Sequence, residues 1–197
     1  MSWLDLFSPK KDYPEFWNSY LNTFKDKSSP YFVAFDCETT GLDPKTDRIL
    51  SIGAVKFTNE RIYIKECKEW FVKQHQDNAE SIKIHGILPS SSQEAVFSEE
   101  EAIHEFLNYI GNATLVGHHI NFDVKMVNLA LKRLGAGKLK NSTKDTNSIY
   151  KRKGHFAHEQ NFSLDKLCEA FHIKSSNRHT ALGDAYITAR VLQKLMH

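Results

Sequence analysis

The sequence predicts an α/β fold, a mixed sheet flanked by helices, and three observations carry the prediction. Residues 31–36 (YFVAFD) form a nearly continuous apolar run of strand length, the pattern of a central strand buried on both faces. Two further strand-like runs, 49–57 (ILSIGAVKF) and 61–73 (RIYIKECKEWFVK), follow over short connections, which favours antiparallel pairing of the three. Beyond them, segments of helical period alternate with a short buried strand.

Taken in order, residues 12–27 place Phe16, Tyr20, Leu21 and Phe24 at helical spacing and predict a short amphipathic helix, which KDKSSP at 25–30 breaks. Residues 1–29 therefore read as an N-terminal helical appendage and 30–197 as the main domain. ETTGLDPKTDR (38–48) is a turn-rich loop, and TNER (58–61) a hairpin turn. SEEEAIHEFLNYIG (98–111) opens with Ser98 and Glu101 in capping-box spacing and stops at Gly111. TLVGH (114–118) is a short buried strand, and FDVKMVNLALKRLG (122–135) a helix with its own glycine stop. SLDKLCEAFHI (163–173) takes Ser163 as N-cap, and a last helix spans about 180–196.

The chain of 197 residues is 41% hydrophobic and has the length of one ordinary domain with a sizeable core. Its net charge of +2 does not announce a nucleic-acid binder. With the four candidate-site carboxylates set aside, however, 26 basic residues face 20 acidic ones. The three cysteines, Cys37, Cys67 and Cys168, form no CxxC, which argues against a disulfide framework or zinc site and fits a reducing cytoplasm. No run reaches membrane-span length and the N-terminus has no secretory pattern, so a soluble cytoplasmic protein that does not engage a membrane is expected.

The chemistry is concentrated in three segments: FDCETTGLD with Asp36 and Glu38, HHINFD with Asp123, and RHTALGDA with His179 and Asp184. Asp36 and Glu38 alternate on a strand, so both carboxylates point to one face. Four carboxylates gathered together repel one another unless divalent cations sit between them. Carboxylate and water ligands suit Mg²⁺ or Mn²⁺, and a pair of such ions suits phosphodiester cleavage.

FDCETTGL, GHHINFD and HTALGDA together resemble the three motifs of the DEDDh family of 3′→5′ exonucleases, the class of the proofreading epsilon subunit of bacterial DNA polymerase III and of RNase T. The intervening segments are similar as well: RILSIGAVKF, IHGI at 84–87, KDT at 144–146 and NFSLDKLCEAFHI. The resemblance covers about residues 31–195 and makes 30–197 an exonuclease domain. It implies a ribonuclease-H-like fold with a five-stranded mixed sheet, order 3-2-1-4-5, in which strand 2 is antiparallel.

By resemblance, Asp36 bridges two metal ions, Glu38 and Asp184 complete the ligands of the first, and Asp123 holds the second through water. His179 is the implied general base, a task suited to an imidazole. It lies five positions before Asp184, so in one continuous helix the two side chains would diverge by roughly 140°. His179 is therefore expected on a loop ahead of the helix. The resemblance also places Thr39, Thr40 and Gly41 against the terminal nucleotide, Leu42 as a wedge beside its base, and His85 near base or sugar. For these the alternative is a purely structural turn or loop packing. Phe122 either stacks on the terminal nucleotide or belongs to the core. The family often has His-Asn where this chain has His118-His119, which leaves sugar recognition at that position open.

The function this implies is release of nucleoside monophosphates from single-stranded or frayed DNA ends, of proofreading or repair type, with two Mg²⁺ or Mn²⁺ ions. RNA 3′-end trimming and a non-catalytic nucleic-acid- or polymerase-binding module are the alternatives; all five catalytic residues are present, and the motifs are nearer the epsilon type. The basic stretches KRLGAGKLKNSTKD and YKRKGHFAHEQ, the second read as a glycine- and histidine-bearing loop, either track a phosphate backbone or form a solvated face. WLDLF, from Trp3 to Phe7, resembles the QLDLF-type peptide that binds the bacterial sliding clamp; alternatively it covers an apolar patch on the domain. The chain ends directly after its last helix, which favours an enzyme acting alone or tethered through 1–29 over a subunit embedded in a polymerase.

Overall fold

The computed structural model describes residues 12–73, 96–157 and 160–197. At its centre, β1 (Phe32–Thr39) pairs antiparallel with β2 (Ile49–Phe57), which pairs antiparallel with β3 (Lys68–Val72). On its other side β1 runs parallel to β5 (Thr114–Gly117), and β5 parallel to β6 (Thr143–Asp145). A two-residue strand, β4 (Val96–Phe97), lies parallel to β3 at the edge, so the sheet has six strands in the order β4-β3-β2-β1-β5-β6. Without that edge strand, the order and the antiparallel second strand are those the resemblance implies.

Six helices accompany the sheet among the described residues: α1 (Glu15–Asn22), α2 (Glu99–Ile110), α3 (Asn121–Arg133), α4 (Thr146–Lys153), α5 (Leu164–Phe171) and α6 (Ala181–Met196). The Ser98/Glu101 capping box is formed, and Ser163 Oγ accepts from Lys166 N at 3.2 Å.

Three expectations need correction. The strand expected over 61–73 is only Lys68–Val72: Tyr63 N donates to Lys56 O, then Glu66 N donates back to Tyr63 O, closing a 3₁₀ turn at Ile64–Glu66. That turn leaves Ile64 68% exposed although Ile62 packs partly against the core, so the apolar alternation breaks at Ile64. β1 runs three residues past Asp36, with Glu38 opposite Ser51, so the loop expected from 38 begins later. The basic segment after KDT, expected as a loop from residue 150, is helical through Lys153, because Asp145 caps α4 by accepting from Ser148 N at 2.7 Å.

The pleat sorts β1 into two faces. Val33, Phe35 and Cys37 join a core with Trp17, Phe106 and Met126, from α1, α2 and α3. Ala34 joins Val55, Phe57 and Val116 under α5 and α6. By parity Asp36 and Glu38 lie on this second face, at the end where the apolar lining stops.

Residues 12–29 pack on the same sheet. Trp17 is 1% and Tyr20 3% exposed. The Tyr20 hydroxyl donates to Asn141 Oδ1 at 2.6 Å and accepts from Lys140 N at 2.8 Å. Asn112 Nδ2 donates to the carbonyls of Thr23 and Lys27. A Cβ on Gly137 would sit 2.8 Å from the Trp17 ring. Trp17→Ala is therefore expected to cost about 3 kcal/mol of stability, the large-to-small penalty of a buried aromatic, measured by urea unfolding.

Candidate active site

The site is assembled where the first turns of two helices, α3 and α6, meet β1. Asp36 and Glu38 come from the strand itself. Asp123 stands in the first turn of α3, 4% exposed, and its Oδ1 accepts from Cys37 N at 3.0 Å. That bond fastens the start of α3 to β1 between the two strand carboxylates. Asp184 stands in the first turn of α6, 9% exposed.

Gly53 is what lets α6 come close, and the sequence reading did not single it out. It lies opposite Asp36 in the β1–β2 register, and a Cβ there would fall 2.2 Å from Ala181 C and Leu182 N. The available signal was a glycine inside a strand, which marks close approach of another backbone. Backbone atoms cannot rotate away, so Gly53→Ala must push the start of α6, and Asp184 with it, off the sheet. The expected outcome is about 2 kcal/mol lost in thermal unfolding and turnover reduced by roughly two orders of magnitude, as misplacement of a catalytic group by about 1 Å produces.

The carboxylates feel one another. Burial first, then the charges of Asp123, Asp184 and Glu38, push Asp36 well above the usual carboxylate range. Burial pushes Asp123 up to about 7, with Glu38 adding to the rise and the Cys37 amide opposing it. Among the described residues no three His, Cys, Asp or Glu side chains form a finished metal cage. The donor set nonetheless fits a hard divalent cation: oxygen ligands only, crowded with excess negative charge, as Mg²⁺ and Mn²⁺ prefer.

One cation already enters this cluster. Arg178 donates from Nε to Asp165 Oδ1 at 2.7 Å and from Nη2 to Asp165 Oδ2 at 3.3 Å, while its Nη1 pairs with Asp184 Oδ1. Asp165, in the first turn of α5, is held below the usual range by this guanidinium, with smaller contributions from His179 and His118. Neither Arg178 nor Asp165 was singled out from sequence, though both lie inside segments that were.

His179 sits ahead of α6, as the angular argument required, in a turn where Asn177 and His179 have φ of 60° and 63°. Thr180 caps α6: its Oγ1 donates to Asn177 O at 2.9 Å and accepts from Gly183 N at 3.1 Å. A Cβ on Gly183 would be 1.9 Å from Asn177 O, so the turn folds onto the helix only because residue 183 is glycine. The His179 side chain is exposed.

The loop after β1 is organised by Asp47. Thr40 Oγ1 donates to Asp47 Oδ1 at 2.9 Å, Asp43 N donates to Oδ2 at 2.7 Å, and Thr39 Oγ1 donates to Gly41 O at 2.7 Å. A Cβ on Gly41 would lie 2.6 Å from Asp47 Oδ2. Leu42 is left 86% exposed. Phe122 is partly buried against the core formed with α1–α3. His85 with the IHGI segment, and the WLDLF segment from Trp3 to Phe7, lie outside the described residues.

His118 is a linker. Its Nδ1 lies 2.9 Å from Thr146 Oγ1 and its Nε2 3.0 Å from Phe162 O. The consistent tautomer has Nε2–H donating to the carbonyl and Nδ1 accepting from the hydroxyl. Burial, then His119, lowers its pKa to about 4. A depressed imidazole pKa means stability that is fully present above the unfolded value near 6.5 and is lost as pH falls toward about 4. An NMR titration should show one imidazole protonating near pH 4 and missing in His118→Gln; protonation of that imidazole near 6.5 would refute the arrangement. His119 has φ 58°, a left-handed position in which Asn and His are both enriched over other non-glycine residues, which is common ground between the family's Asn and this His.

Comparison with known proteins shows the family to which the chain belongs. A family model described as exonuclease matches residues 33–192. A PolC-type DNA polymerase III of Caldanaerobacter subterraneus subsp. tengcongensis is 36% identical over 166 residues, 84% of this chain but 11% of that protein. A DNA polymerase III subunit epsilon of Rickettsia prowazekii is 32% identical over 164 residues, 81% of this chain and 71% of that protein. An E. coli ExoI–ssDNA complex in its zinc-bound form shares the fold, with TM-score 0.71, 20% identity, and coverage of 84% of this chain and 40% of that one. The chain thus spans about a tenth of the PolC-type relatives it matches.

Proposed function

Because the chain belongs to the exonuclease family, we propose that it is a divalent-metal-dependent 3′→5′ exonuclease, releasing nucleoside monophosphates from single-stranded or frayed DNA ends. The observation that carries the reading is the meeting of Asp36 and Glu38 from β1, Asp123 from α3 and Asp184 from α6 on one end of the sheet, with the exposed His179 beside them.

In this reading Asp36, Glu38, Asp123 and Asp184 hold two Mg²⁺ or Mn²⁺ ions, which when bound supply an acidified water and charge stabilisation for the departing 3′ oxygen. His179 accepts the proton of the attacking water on a ring nitrogen. Its place on a turn outside α6 lets it reach the water without moving Asp184. The Thr39–Thr40–Gly41 turn, held by Asp47, presents its backbone to the terminal nucleotide. Leu42 stands free to wedge beside the terminal base, burying an aliphatic side chain that is otherwise 86% exposed. Phe122 contributes at most one ring edge, its remainder being packed on the core.

DNA is favoured over RNA because the curated relatives are named as DNA polymerase III proteins and the ExoI structure carries single-stranded DNA. In this reading the work is cytoplasmic, with a DNA polymerase as partner, which the relatives' names support, or a sliding clamp engaged through Trp3–Phe7. No helix among the described residues is long and apolar enough to cross a membrane.

The test is a time course on matched 5′-labelled DNA and RNA oligomers with Mg²⁺ or EDTA. The expected result is a metal-dependent ladder shortening from the 3′ end, faster on DNA. Faster loss of RNA would assign the chain to RNA trimming, and digestion of neither would leave the binding-module reading.

A further inference from the structure

We propose that Arg178 is a positioning residue with two effects: its guanidinium competes with metal cations for Asp184, and it clamps the His179 turn to α5 in the productive place. The inference rests on the exonuclease reading of the site.

The geometry is that of a planar fork used on both sides. Nε and Nη2 grip the two oxygens of Asp165 at 2.7 and 3.3 Å, and Nη1 takes Asp184 Oδ1. The Arg178 side chain is only 16% exposed, and Asp184 12%, so this is not a solvated surface pair. Asp165 is half exposed at 54% and belongs to α5, which contributes nothing else to the carboxylate cluster. Arg178 therefore ties a metal-site carboxylate on α6 to a neighbouring helix, and the residue that follows it is His179.

Two consequences follow from charge and shape. With Oδ1 engaged by the guanidinium, Asp184 has Oδ2 to offer a cation, which defines how it can ligate. A fixed positive charge beside a ligand carboxylate also opposes a second cation, so metal binds more weakly here than bare carboxylates would bind it. In return the Arg178 side chain fastens the turn that carries the left-handed His179 to α5, beside the Thr180–Asn177 bond that closes the turn itself. A lysine cannot do the same, since an ammonium is a point charge without the fork that spans two carboxylates.

The discriminating measurement is Mn²⁺ binding by calorimetry, with Mn²⁺ alone, set beside kcat and KM on a single-stranded oligomer at saturating Mn²⁺. Arg178→Met is expected to bind Mn²⁺ about tenfold more tightly, the scale of one unit charge removed at an effective dielectric near that of a protein surface. Its kcat is expected to fall by roughly 30- to 100-fold, with KM little changed, because the base is no longer held in place. Arg178→Lys should return the Mn²⁺ affinity to near wild type while kcat stays low. Asp165→Asn should lower kcat by about tenfold with Mn²⁺ affinity unchanged, since the charge beside Asp184 remains.

Loss of a merely structural contact would instead weaken metal binding and turnover together. Weaker or unchanged Mn²⁺ affinity in Arg178→Met, or an unchanged kcat in Asp165→Asn, overturns the proposal. If Arg178→Met fails to fold by circular dichroism, the Lys and Asn variants decide by the same split. The metal titration reads Arg178 without any substrate, so a wild type that cut no nucleic acid would count against the exonuclease reading alone.

Discussion

Asp36→Asn is expected to lower exonuclease turnover by about four orders of magnitude and, in the presence of EDTA, to make the protein more stable, not less. Both halves have one origin. Asp36 lies among Asp123, Asp184 and Glu38, and burial with those charges raises its pKa well above the usual range. A carboxyl group whose folded-state pKa is raised contributes stability that is fully present below the unfolded value near 4. That contribution is lost as pH rises through the raised value, so at neutral pH the metal-free site is under electrostatic stress. Asn keeps the shape and removes the charge. A melting temperature a few degrees above wild type is expected at pH 7.5 in EDTA, on the scale of about 1 kcal/mol for a chain of this size. The order should reverse with added Mg²⁺ or Mn²⁺, which stabilises the wild type through binding to the native state and stabilises the variant far less. A variant that melts lower than wild type in EDTA would mean the carboxylates are not crowded. One that keeps its turnover would remove Asp36 from the machinery.

Where the sequence was legible, one local rule sufficed. β2 has the bounds its apolar pattern predicted, and the capping box at Ser98 and Glu101 is formed as spelled. Asp36 and Glu38 share a face because a pleat alternates, and His179 stands off the helix because five positions do not close a turn pair. What was not legible depended on partners distant in sequence. The run 61–73 has strand-like composition, but a 3₁₀ turn closes at Ile64–Glu66, so Ile62 packs partly against the core while Ile64 faces out. Gly53, a glycine inside a strand, signals a close approach, but that the start of α6 is what approaches it shows only once the fold is assembled. Arg178 and Asp165 are thirteen residues apart and belong to no spacing rule, so their pairing appears only when α5 and α6 are side by side. Asp47 likewise becomes the organiser of the Thr39–Leu42 turn only once the loop closes on itself.

His179→Asn is expected to reduce turnover by about three orders of magnitude while leaving both the melting temperature and Mn²⁺ affinity at wild-type values. The choice of Asn isolates the chemistry. Residue 179 has φ 63°, a conformation that costs an ordinary side chain on the order of 1 kcal/mol and that Asn tolerates. Asn thus preserves the turn that begins α6 and removes only the basic nitrogen. His179→Ala should lose the same activity and, in addition, a degree or two of melting temperature from backbone strain, which separates the two roles of the position. His118 cannot replace the lost base: both of its ring nitrogens are engaged, by Thr146 and Phe162, and burial keeps it neutral down to about pH 4. The neighbouring His119 is exposed at the far end of the same motif, and it is the residue to which the assignment would pass. If His179→Asn turned over at the wild-type rate and His119→Asn did not, the proton acceptor would lie before α3, not before α6. The pH dependence of kcat in the two variants decides between them: the acid limb that reports the base should vanish with the true acceptor and survive loss of the other.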